Sequence, residues 1–425
     1  GEKAGVVRRM VDLLTSFRRV PRTGVIYIDT EARARGYRRG SPDWANLGQG
    51  QPETGEIPGT TPRMTTIPLS APDMEYAPVE GMMELRDAIA QLYNARYRKG
   101  MPSRYAAENV VVSGGGRTAL TRTLASVAAV NLGHFIPDYT AYEELLEVFG
   151  LFKPIPLQLD PALHYALELP WMERTIRGMG LGAILLSNPA NPTGKVVRGP
   201  HLSEMTALAR KYDCALILDE FYSHYLWDAP PGTTVSAAQY VEDVNKDPVV
   251  LVDGLTKNWR YPGLRLSWTL GPRAAMDAIG SAGSFIDGGA ARPVQRAALG
   301  LMDPEEVARD TVALQKHFRA KRDYMLQRLT AMGVRVDTPP QGTFYVWGSV
   351  AELPAPLSTG FAFFQAALER QVLCVPGLFF DVNPGKRRTP EHSLFGRHVR
   401  FSFGPPMAQL ELGLNRLEEM VKAAS

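Results

Sequence analysis

The sequence predicts an α/β fold: a large domain with a mostly parallel sheet sandwiched by helices, and a smaller α+β domain. Short, continuously apolar runs alternate with segments of helical spacing through the middle of the chain, which is typical of parallel strands covered on both faces. After Met302 this alternation ends, and a long amphipathic segment leads to two isolated apolar runs. We expect an N-terminal arm with part of the small domain over residues 1–60, the large domain over 61–303 and the C-terminal small domain over 304–425.

The individual elements follow from the spacing of apolar residues. Met83–Tyr97 predicts the first helix, because its apolar residues recur at helical spacing. Aliphatic runs that end in Gly, Asn or Asp predict strands of the large sheet over 110–113, 183–187, 214–218, 249–252 and 264–270, with helices over 118–130 and 202–212. In the smaller domain, we expect a long helix over 307–329 and strands over 344–347 and 399–403.

Composition excludes several classes of protein. The chain has 425 residues, of which 45% are apolar and 21% are charged, so it is not mainly disordered. A net charge of +3 is too small to make nucleic acid the expected partner. No uncharged apolar run of about 18 residues appears, so we expect no membrane span. Cys214 and Cys374 lie in apolar runs, which predicts buried thiols in a reducing compartment, by default the cytoplasm.

The first 45 residues are rich in arginine. They include the pairs Arg8-Arg9, Arg18-Arg19 and Arg38-Arg39. A solvated helix face with an arm that packs on a neighbour is the favoured interpretation, and an anion-binding surface is the alternative.

Polar loops follow the predicted strands at residues 114–117, 188–194, 219–222 and 254–257. Open α/β sheets bind ligands at the carboxyl ends of their strands, so we expect these loops to converge on one pocket. Residues 188–194 contain two X-Pro steps and a glycine, which fix a rigid turn and hold an amide side chain at that pocket.

The glycine loop Gly114-Gly115-Gly116 leads from a strand into a helix. It presents backbone N–H groups and a positive helix end to an anion, for which a phosphate is the natural ligand. It also fits the G-x-G-x-x-A fingerprint of dinucleotide binding, but no acidic residue ends a second strand about 20 positions later. A helix-entry turn without a ligand is the other alternative.

Asp219 and Lys257 are two titratable residues that follow predicted strands. A carboxylate that follows an apolar strand is costly to bury unless it meets a cation or several donors; a helix N-cap is the alternative for Asp219. A lysine in a dry or cationic pocket has a lowered pKa and can form a Schiff base; a solvated surface lysine is the alternative for Lys257. Arg265, close to Lys257 along the chain, could bind an anion bidentately.

The order and spacing of these motifs resemble the class I/II aminotransferase family of fold-type I pyridoxal-phosphate enzymes, from about Asn46 to Phe403. The pieces that carry the resemblance are 46–52, Tyr76 with Gly81 and Leu85-Arg86, 114–117, Pro137-Asp138-Tyr139, 188–194, 219–222, Thr256-Lys257, Pro262-Gly263-Leu264-Arg265 and 399–402. The resemblance implies the aminotransferase type I fold, with the cofactor in the large domain.

The family implies pyridoxal 5′-phosphate as the cofactor, and no metal. Lys257 resembles the lysine of the internal aldimine, which also moves the substrate proton, and Asp219 resembles the partner of the pyridinium nitrogen. Tyr222 and Asn191 resemble the donors to the phenolic oxygen, and Tyr139 resembles the aromatic residue that stacks on the ring. The other implied cofactor contacts are Gly115, Gly116, Arg117, Thr256 and Arg265, most of them around the phosphate.

The implied substrates are an amino acid and a 2-oxo acid. Arg400 resembles the arginine that binds the α-carboxylate, with Gly50 and Asn191 as further contacts. Tyr76 resembles a tyrosine that reaches the phosphate of the neighbouring subunit, which implies a homodimer with shared active sites. Arg292 lies in a loop that crosses the interface in the family, where it would contact a second acidic group of the substrate or the phosphate; an interface salt bridge is the alternative.

Some features stay open at this point. A lyase, a cyclase or a β- or γ-replacement enzyme would use the same set of residues. A non-enzymatic regulator is the other alternative, but it would need a DNA-reading module, and the arginine-rich start has no clear helix-turn-helix pattern. Gly254 and Arg117 depart from the residues that are frequent in the family at the phosphate. The basic stretch 378–395 is interpreted as a surface insertion, with a lid as the alternative.

Overall fold

The computed structural model describes residues 15–22 and 24–425. Its strands are β1 (Ala45–Asn46), β2 (Val110–Ser113), β3 (Asn131–Ile136), β4 (Lys153–Gln158), β5 (Leu181–Ser187), β6 (Ala215–Asp219), β7 (Val249–Gly254), β8 (Ser267–Leu270), β9 (Tyr345–Ser349), β10 (Val372–Leu373), β11 (Val375–Pro376) and β12 (His398–Ser402). Its helices are α1 (Gly24–Ala34), α2 (Met83–Tyr97), α3 (Gly116–Ala125), α4 (Tyr142–Val148), α5 (Leu169–Met179), α6 (Gly199–Tyr212), α7 (Arg273–Ile286), α8 (Arg292–Leu299), α9 (Pro304–Ala331), α10 (Gly360–Glu369) and α11 (Met407–Ala424).

The large sheet has seven strands in the order β2-β8-β7-β6-β5-β3-β4. Strands β7, β6, β5, β3 and β4 are parallel, and β8 is antiparallel to both of its neighbours. Its central strands are apolar and buried on both faces, as in β7, where every residue is buried. The predicted α/β fold with a mostly parallel sheet is confirmed. The strand predicted over 264–270 is shorter, because Pro262–Leu264 forms a 3-10 turn instead.

Two strands of the large sheet, β3 and β4, were not predicted. The helix predicted over 118–130 ends at Ala125, and β3 begins soon after it. Strand β3 contains Gly133 and His134, which interrupt its apolar pattern, and β4 contains Pro154 and Pro156. Strand β4 lies at the edge of the sheet, where one side is unpaired and a missing backbone donor is tolerated.

The smaller part of the fold is built around the antiparallel sheet β11-β12-β9. Strand β1 pairs in parallel with β10, so the N-terminal segment joins this part of the molecule. The long predicted helix is present as α9, and the side chain of Asp303 caps it by accepting a hydrogen bond from Glu306 N at 3.0 Å. Strands β9 and β12 match the strands predicted over 344–347 and 399–403 with small shifts. The domain boundaries at residues 60 and 303 stay a prediction.

The structure also locates part of the arginine-rich start and both cysteines. Arg8 and Arg9 lie outside the described residues, whereas Arg33 forms an ion pair with Asp29 on the surface of α1. Cys214 and Cys374 are both buried and free, as predicted. Within the described part of the chain, no helix is long and apolar enough to cross a membrane.

Candidate active site

A cleft lies at the carboxyl ends of β5, β6 and β7, where the sequence predicted that polar loops converge. Its inner part contains about 520 Å³ of space, some of it open to solvent. The residues that line it are Gly116, Arg117, Tyr139, Ser187, Asn191, Asp219, Phe221, Tyr222, Thr256, Lys257 and Arg265. It opens into a wider mouth that includes Gly50, Tyr345, Arg400 and part of α1. Most of the predicted site residues therefore share one cleft.

Lys257 lies in the loop after β7, and its ammonium group donates a hydrogen bond to the carbonyl of Gly50. The hydroxyl of Tyr225 fixes the backbone at this point by donating to the Lys257 carbonyl at 2.6 Å. Burial, and then the positive charges of Arg400 and Arg117, lower the pKa of Lys257 to about 7. A lysine with such a pKa is uncharged in a large fraction of molecules at neutral pH, and only the uncharged amine is a nucleophile or a base.

Asp219 ends β6 and forms the inner wall of the cleft. Its side chain is buried and accepts hydrogen bonds from Tyr142 Oη at 2.8 Å and from Phe221 N at 3.2 Å. Burial raises its pKa to about 7, against the effect of these two donors and of the Lys257 charge. A cationic group bound against this carboxylate would lower the pKa again, so the position favours a positively charged partner.

The glycine loop and Arg265 form another part of the wall of the inner cleft. Gly115 has φ +114°, and a Cβ atom at this position would lie 2.3 Å from Arg265 Nη2. A Cβ atom on Gly116 would lie 2.5 Å from the Phe221 ring. Both positions therefore require glycine, and α3 begins there with its free N–H groups. Arg117, an exposed residue, adds positive charge beside them, so this part of the cleft is suited to an anion.

Arg400 projects from β12 into the mouth of the cleft and is almost fully buried. Its Nη1 donates to Asn191 Oδ1 at 3.0 Å and its Nη2 donates to Gly48 O at 2.8 Å. The guanidinium carbon lies 3.8 Å from the centre of the Tyr345 ring. Arg400 Nε and Asn191 Nδ2 are buried and have no partner among the described residues. These two unpaired donors indicate a missing acceptor at this point.

Tyr222 and Tyr139 lie on the walls of the same cleft. The hydroxyl of Tyr222 is 2.6 Å from that of Tyr345. The Tyr139 ring is half-buried and lies edge-on to Tyr142, with the ring centres 5.3 Å apart. The cleft thus combines a lysine, a carboxylate, two tyrosines and an anion site within one volume.

Tyr76 and Arg292 do not line the cleft of their own chain. Tyr76 is 92% exposed. Arg292 Nη2 donates to the backbone carbonyl of Tyr76 at 2.7 Å, which ties the two segments together. Their predicted roles concern a neighbouring subunit, and they stay predictions.

Sequence reasoning missed Tyr142, Tyr345 and Ser187. Tyr142 lies three residues after the predicted Tyr139, a closeness in sequence that could have suggested it. Ser187 accepts a hydrogen bond from Asn191 N at 3.1 Å and donates to Asp138, at a strand end where a polar residue is informative. Tyr345 has no such local signal, because it reaches the site from a strand of the smaller sheet.

Comparison with known proteins adds an independent finding. The profile of the family "Aminotransferase class I and II" matches residues 42–417. The chain is 26% identical over 400 residues to the aspartate/prephenate aminotransferase of Thermus thermophilus, covering 93% of this chain and 96% of that one. It is 27% identical over 388 residues to the valine–pyruvate aminotransferase of Mycobacterium tuberculosis, covering 88% and 90%. The solved structure of Thermus thermophilus aspartate aminotransferase with maleate has a similar fold, with a TM-score of 0.77 and 23% identity over 95% of this chain and all 100% of that one.

Proposed function

The chain belongs to the class I and II aminotransferase family, and we propose that it moves an amino group from an amino acid to a 2-oxo acid with pyridoxal 5′-phosphate as its cofactor. The observation that supports this most is that Lys257, the carboxylate of Asp219 and a group of residues suited to an anion line one cleft. The relatives compared above are aminotransferases, so a lyase, a cyclase or a replacement enzyme is not favoured.

The residues present fit this cofactor. Its phosphate would be held by the N–H groups at Gly115 and Gly116 with Arg265 and Arg117; a Cβ atom on Gly115 would push the Arg265 guanidinium out of its place there. Its ring would lie between this part of the cleft and Asp219, beside Tyr139. The unpaired Asn191 Nδ2 would supply one of the donors to the ring oxygen, with the Tyr222 hydroxyl as another. Thr256 lines the same volume.

Pyridoxal phosphate supplies an electron sink for the pair of electrons left when a proton leaves the substrate Cα. The Asp219 carboxylate would stabilise a proton on the ring nitrogen, because a buried anion favours a cation beside it. Lys257 would link the cofactor covalently, and once the amino group of the substrate has taken its place, the freed Nζ would remove the proton from the substrate Cα. Its lowered pKa of about 7 suits both roles near neutral pH.

The mouth of the cleft would bind the substrate. Arg400 would hold the α-carboxylate with a planar, bidentate fork, and its stacking on Tyr345 fixes the plane of that fork. The Gly50 backbone lies against Lys257 Nζ, so it would place the substrate close to the base. A fixed carboxylate orients the Cα–H bond toward Lys257, which is a proximity effect.

We also propose a homodimer that shares its active sites, in the cytoplasm. Exposed apolar side chains cluster along the segment that contains Tyr76: Leu69 is 66% and Met74 is 71% exposed. Arg292 and Arg296 fasten this segment to α8 through Tyr76 O and Asp73. A second copy of the chain would cover these side chains and receive Tyr76 at its phosphate site. The two free, buried thiols support a reducing compartment.

A spectral screen tests this function. The purified protein is loaded with pyridoxal phosphate, and amino acids are added singly while the absorbance of the lysine-linked cofactor is followed. We expect at least one amino acid to convert the visible band into that of the aminated cofactor, with release of a 2-oxo acid. A 2-oxo acid alone should then restore the first band. Release of ammonia from the amino acid, with no aminated cofactor, would contradict amino transfer.

A further inference from the structure

The segment 377–388 connects the mouth of the cleft to its inner wall. It follows β11, in which Val375 pairs with Arg400. Near its start, the ring centre of Phe380 lies 4.9 Å from the Arg400 guanidinium carbon. Its later residues contact α4, the helix that carries Tyr142.

The polar contacts of this segment concentrate on the first turn of α4. Asn383 N donates a hydrogen bond to Glu143 Oε1 at 2.9 Å. Lys386 Nζ donates to Glu144 Oε1 at 2.8 Å and also to Glu143. Both glutamates are largely shielded from solvent, so these charge-assisted bonds are less screened than those of a fully exposed pair.

Backbone and apolar contacts run beside these polar ones. Asp138 N donates to Phe380 O at 3.1 Å, just ahead of α4 in the chain. Val382 is fully buried and belongs to the same apolar cluster as Tyr142 and Leu145. The prediction that 378–395 is a surface insertion therefore holds for the exposed middle of this stretch and not for its partly buried start.

Helix α4 depends on such contacts for its position. It has only 7 residues, and a helix this short is not stable in water by itself. Tyr142, its first residue, makes one side-chain hydrogen bond, the one to Asp219 Oδ2 at 2.8 Å. Displacement of the first turn would therefore move this hydroxyl away from the carboxylate at the inner wall of the cleft.

We propose that segment 377–388 is a positioning element for the cofactor: Lys386 and Asn383 fix the first turn of α4 and so hold the Tyr142 hydroxyl on Asp219. The inference rests on the proposed function, in which Asp219 faces the ring nitrogen of pyridoxal phosphate. Lys386 contacts neither cofactor nor substrate, and it acts through Glu143, Glu144 and Tyr142.

The consequence is a measurable change in the bound cofactor. Without the Tyr142 donor, Phe221 N is the one described donor left to the buried Asp219, and the ionised form of Asp219 becomes less favourable. It then holds a protonated ring less strongly. The affinity for the cofactor falls, and the pH midpoint of the cofactor's absorbance change shifts.

The test reverses the charge of Lys386 in the full chain. Lys386→Glu should raise the dissociation constant of pyridoxal phosphate about 5- to 10-fold, which corresponds to losing part of the charge-assisted hydrogen bond from Tyr142 to Asp219, and should shift the absorbance midpoint. Lys386→Arg should restore both values. The matched control is Arg387→Glu, the same charge change one residue away, because the Arg387 side chain is exposed and bonds to no described residue.

A double-mutant cycle checks that the effect passes through Tyr142. Tyr142→Phe should shift the absorbance midpoint in the same direction, and Lys386→Glu should add little in that background. The proposal is overturned if Lys386→Glu behaves like Arg387→Glu, or if Lys386→Glu keeps its full effect in the Tyr142→Phe background. A lower melting temperature of the cofactor-free protein with an unchanged absorbance midpoint would also overturn it, because Lys386 would then stabilise the fold without affecting the cofactor. A wild-type protein without any Lys257-dependent absorbance would instead contradict the proposed function itself.

Discussion

The inner end of the cleft and its mouth are built in different ways. At the inner end, Ser187 and Asp219 are direct partners on neighbouring parallel strands, and Lys257 follows the next strand. Their positions are set by strands that are buried on both faces. The mouth is assembled from distant pieces, with Gly50 from an N-terminal loop and Arg400 from the smaller sheet.

This difference separates two kinds of function. A rigid sheet edge holds the groups that would act on the cofactor, and pieces from distant parts of the chain would bind the substrate. We therefore expect substitutions at the inner end to affect all substrates alike. Substitutions at the mouth should change substrate binding more than they change the bound cofactor.

The largest effect is expected for Lys257→Ala, at the inner end. The variant should lose the absorbance of the lysine-linked cofactor, and its turnover should fall by about 10²–10⁴-fold or more, because the base that moves the Cα proton is gone. Absorbance and single-turnover kinetics check this. Lys153→Ala, in which an exposed lysine of β4 is removed, should behave like the wild type. A wild-type spectrum and rate for Lys257→Ala would show that another group carries the chemistry.

The second-largest loss of turnover is expected for Asp219→Asn, also at the inner end. The shape is conserved, so the fold and the Tyr142 contact are kept, but the negative charge against the ring nitrogen is lost. We expect kcat to fall about 10²–10³-fold for every substrate, the size of other preorganised electrostatic effects. Asp213→Asn, at an exposed residue just before the same strand, is the control. An almost unchanged kcat would reduce Asp219 to a residue that caps the following turn.

The same contrast explains what sequence reasoning could predict. Part of the inner end was predictable, because Asp219 ends an apolar run, Lys257 closely follows another, and parallel strands place their carboxyl ends together. Asp219 and Lys257 were found in this way. Strands β3 and β4 were missed because His134, Pro154 and Pro156 interrupt the apolar pattern of a strand. Both strands form all the same, because pairing with other strands of the sheet stabilises them.

Contacts between distant parts of the chain carry no comparable local signal. Arg400 was predicted only through a family resemblance, and its stacking on Tyr345 and its bond to Gly48 O were not predicted at all. The same holds for the Tyr142 bond to Asp219, in which a short helix supplies the donor. These contacts arise from packing between separate elements, which the periodicity of one segment does not encode.

Arg400→Lys tests the mouth. Lysine keeps the charge but loses the planar fork and the stacking on Tyr345, so KM for the amino acid should rise about 10- to 100-fold with a smaller fall in kcat. The spectrum of the cofactor without substrate should not change. Arg397→Lys, at an exposed arginine that precedes β12, is the control. Normal KM values for α-amino acids would refute this role and would point to amines as substrates.

The smallest effect is expected for Arg292→Ala, at the edge of the proposed dimer interface. Arg292 Nη2 bonds to the Tyr76 carbonyl and lies outside the cleft of its own chain, which favours a role in holding Tyr76 for the partner subunit. We therefore expect cofactor affinity and dimer affinity to fall together, by about 2- to 10-fold for the loss of one hydrogen bond, equally for all substrates. Equilibrium dialysis of the cofactor and sedimentation across a range of protein concentrations check this, with Arg309→Ala on the exposed face of α9 as the control.

If Arg292 instead binds a second acidic group of the substrate, the variant would keep its cofactor and lose about 2–4 kcal/mol of transition-state binding for acidic substrates alone. That outcome would assign Arg292 to the mouth of the partner subunit's cleft. Arg292 would then contribute to substrate specificity rather than to dimer assembly.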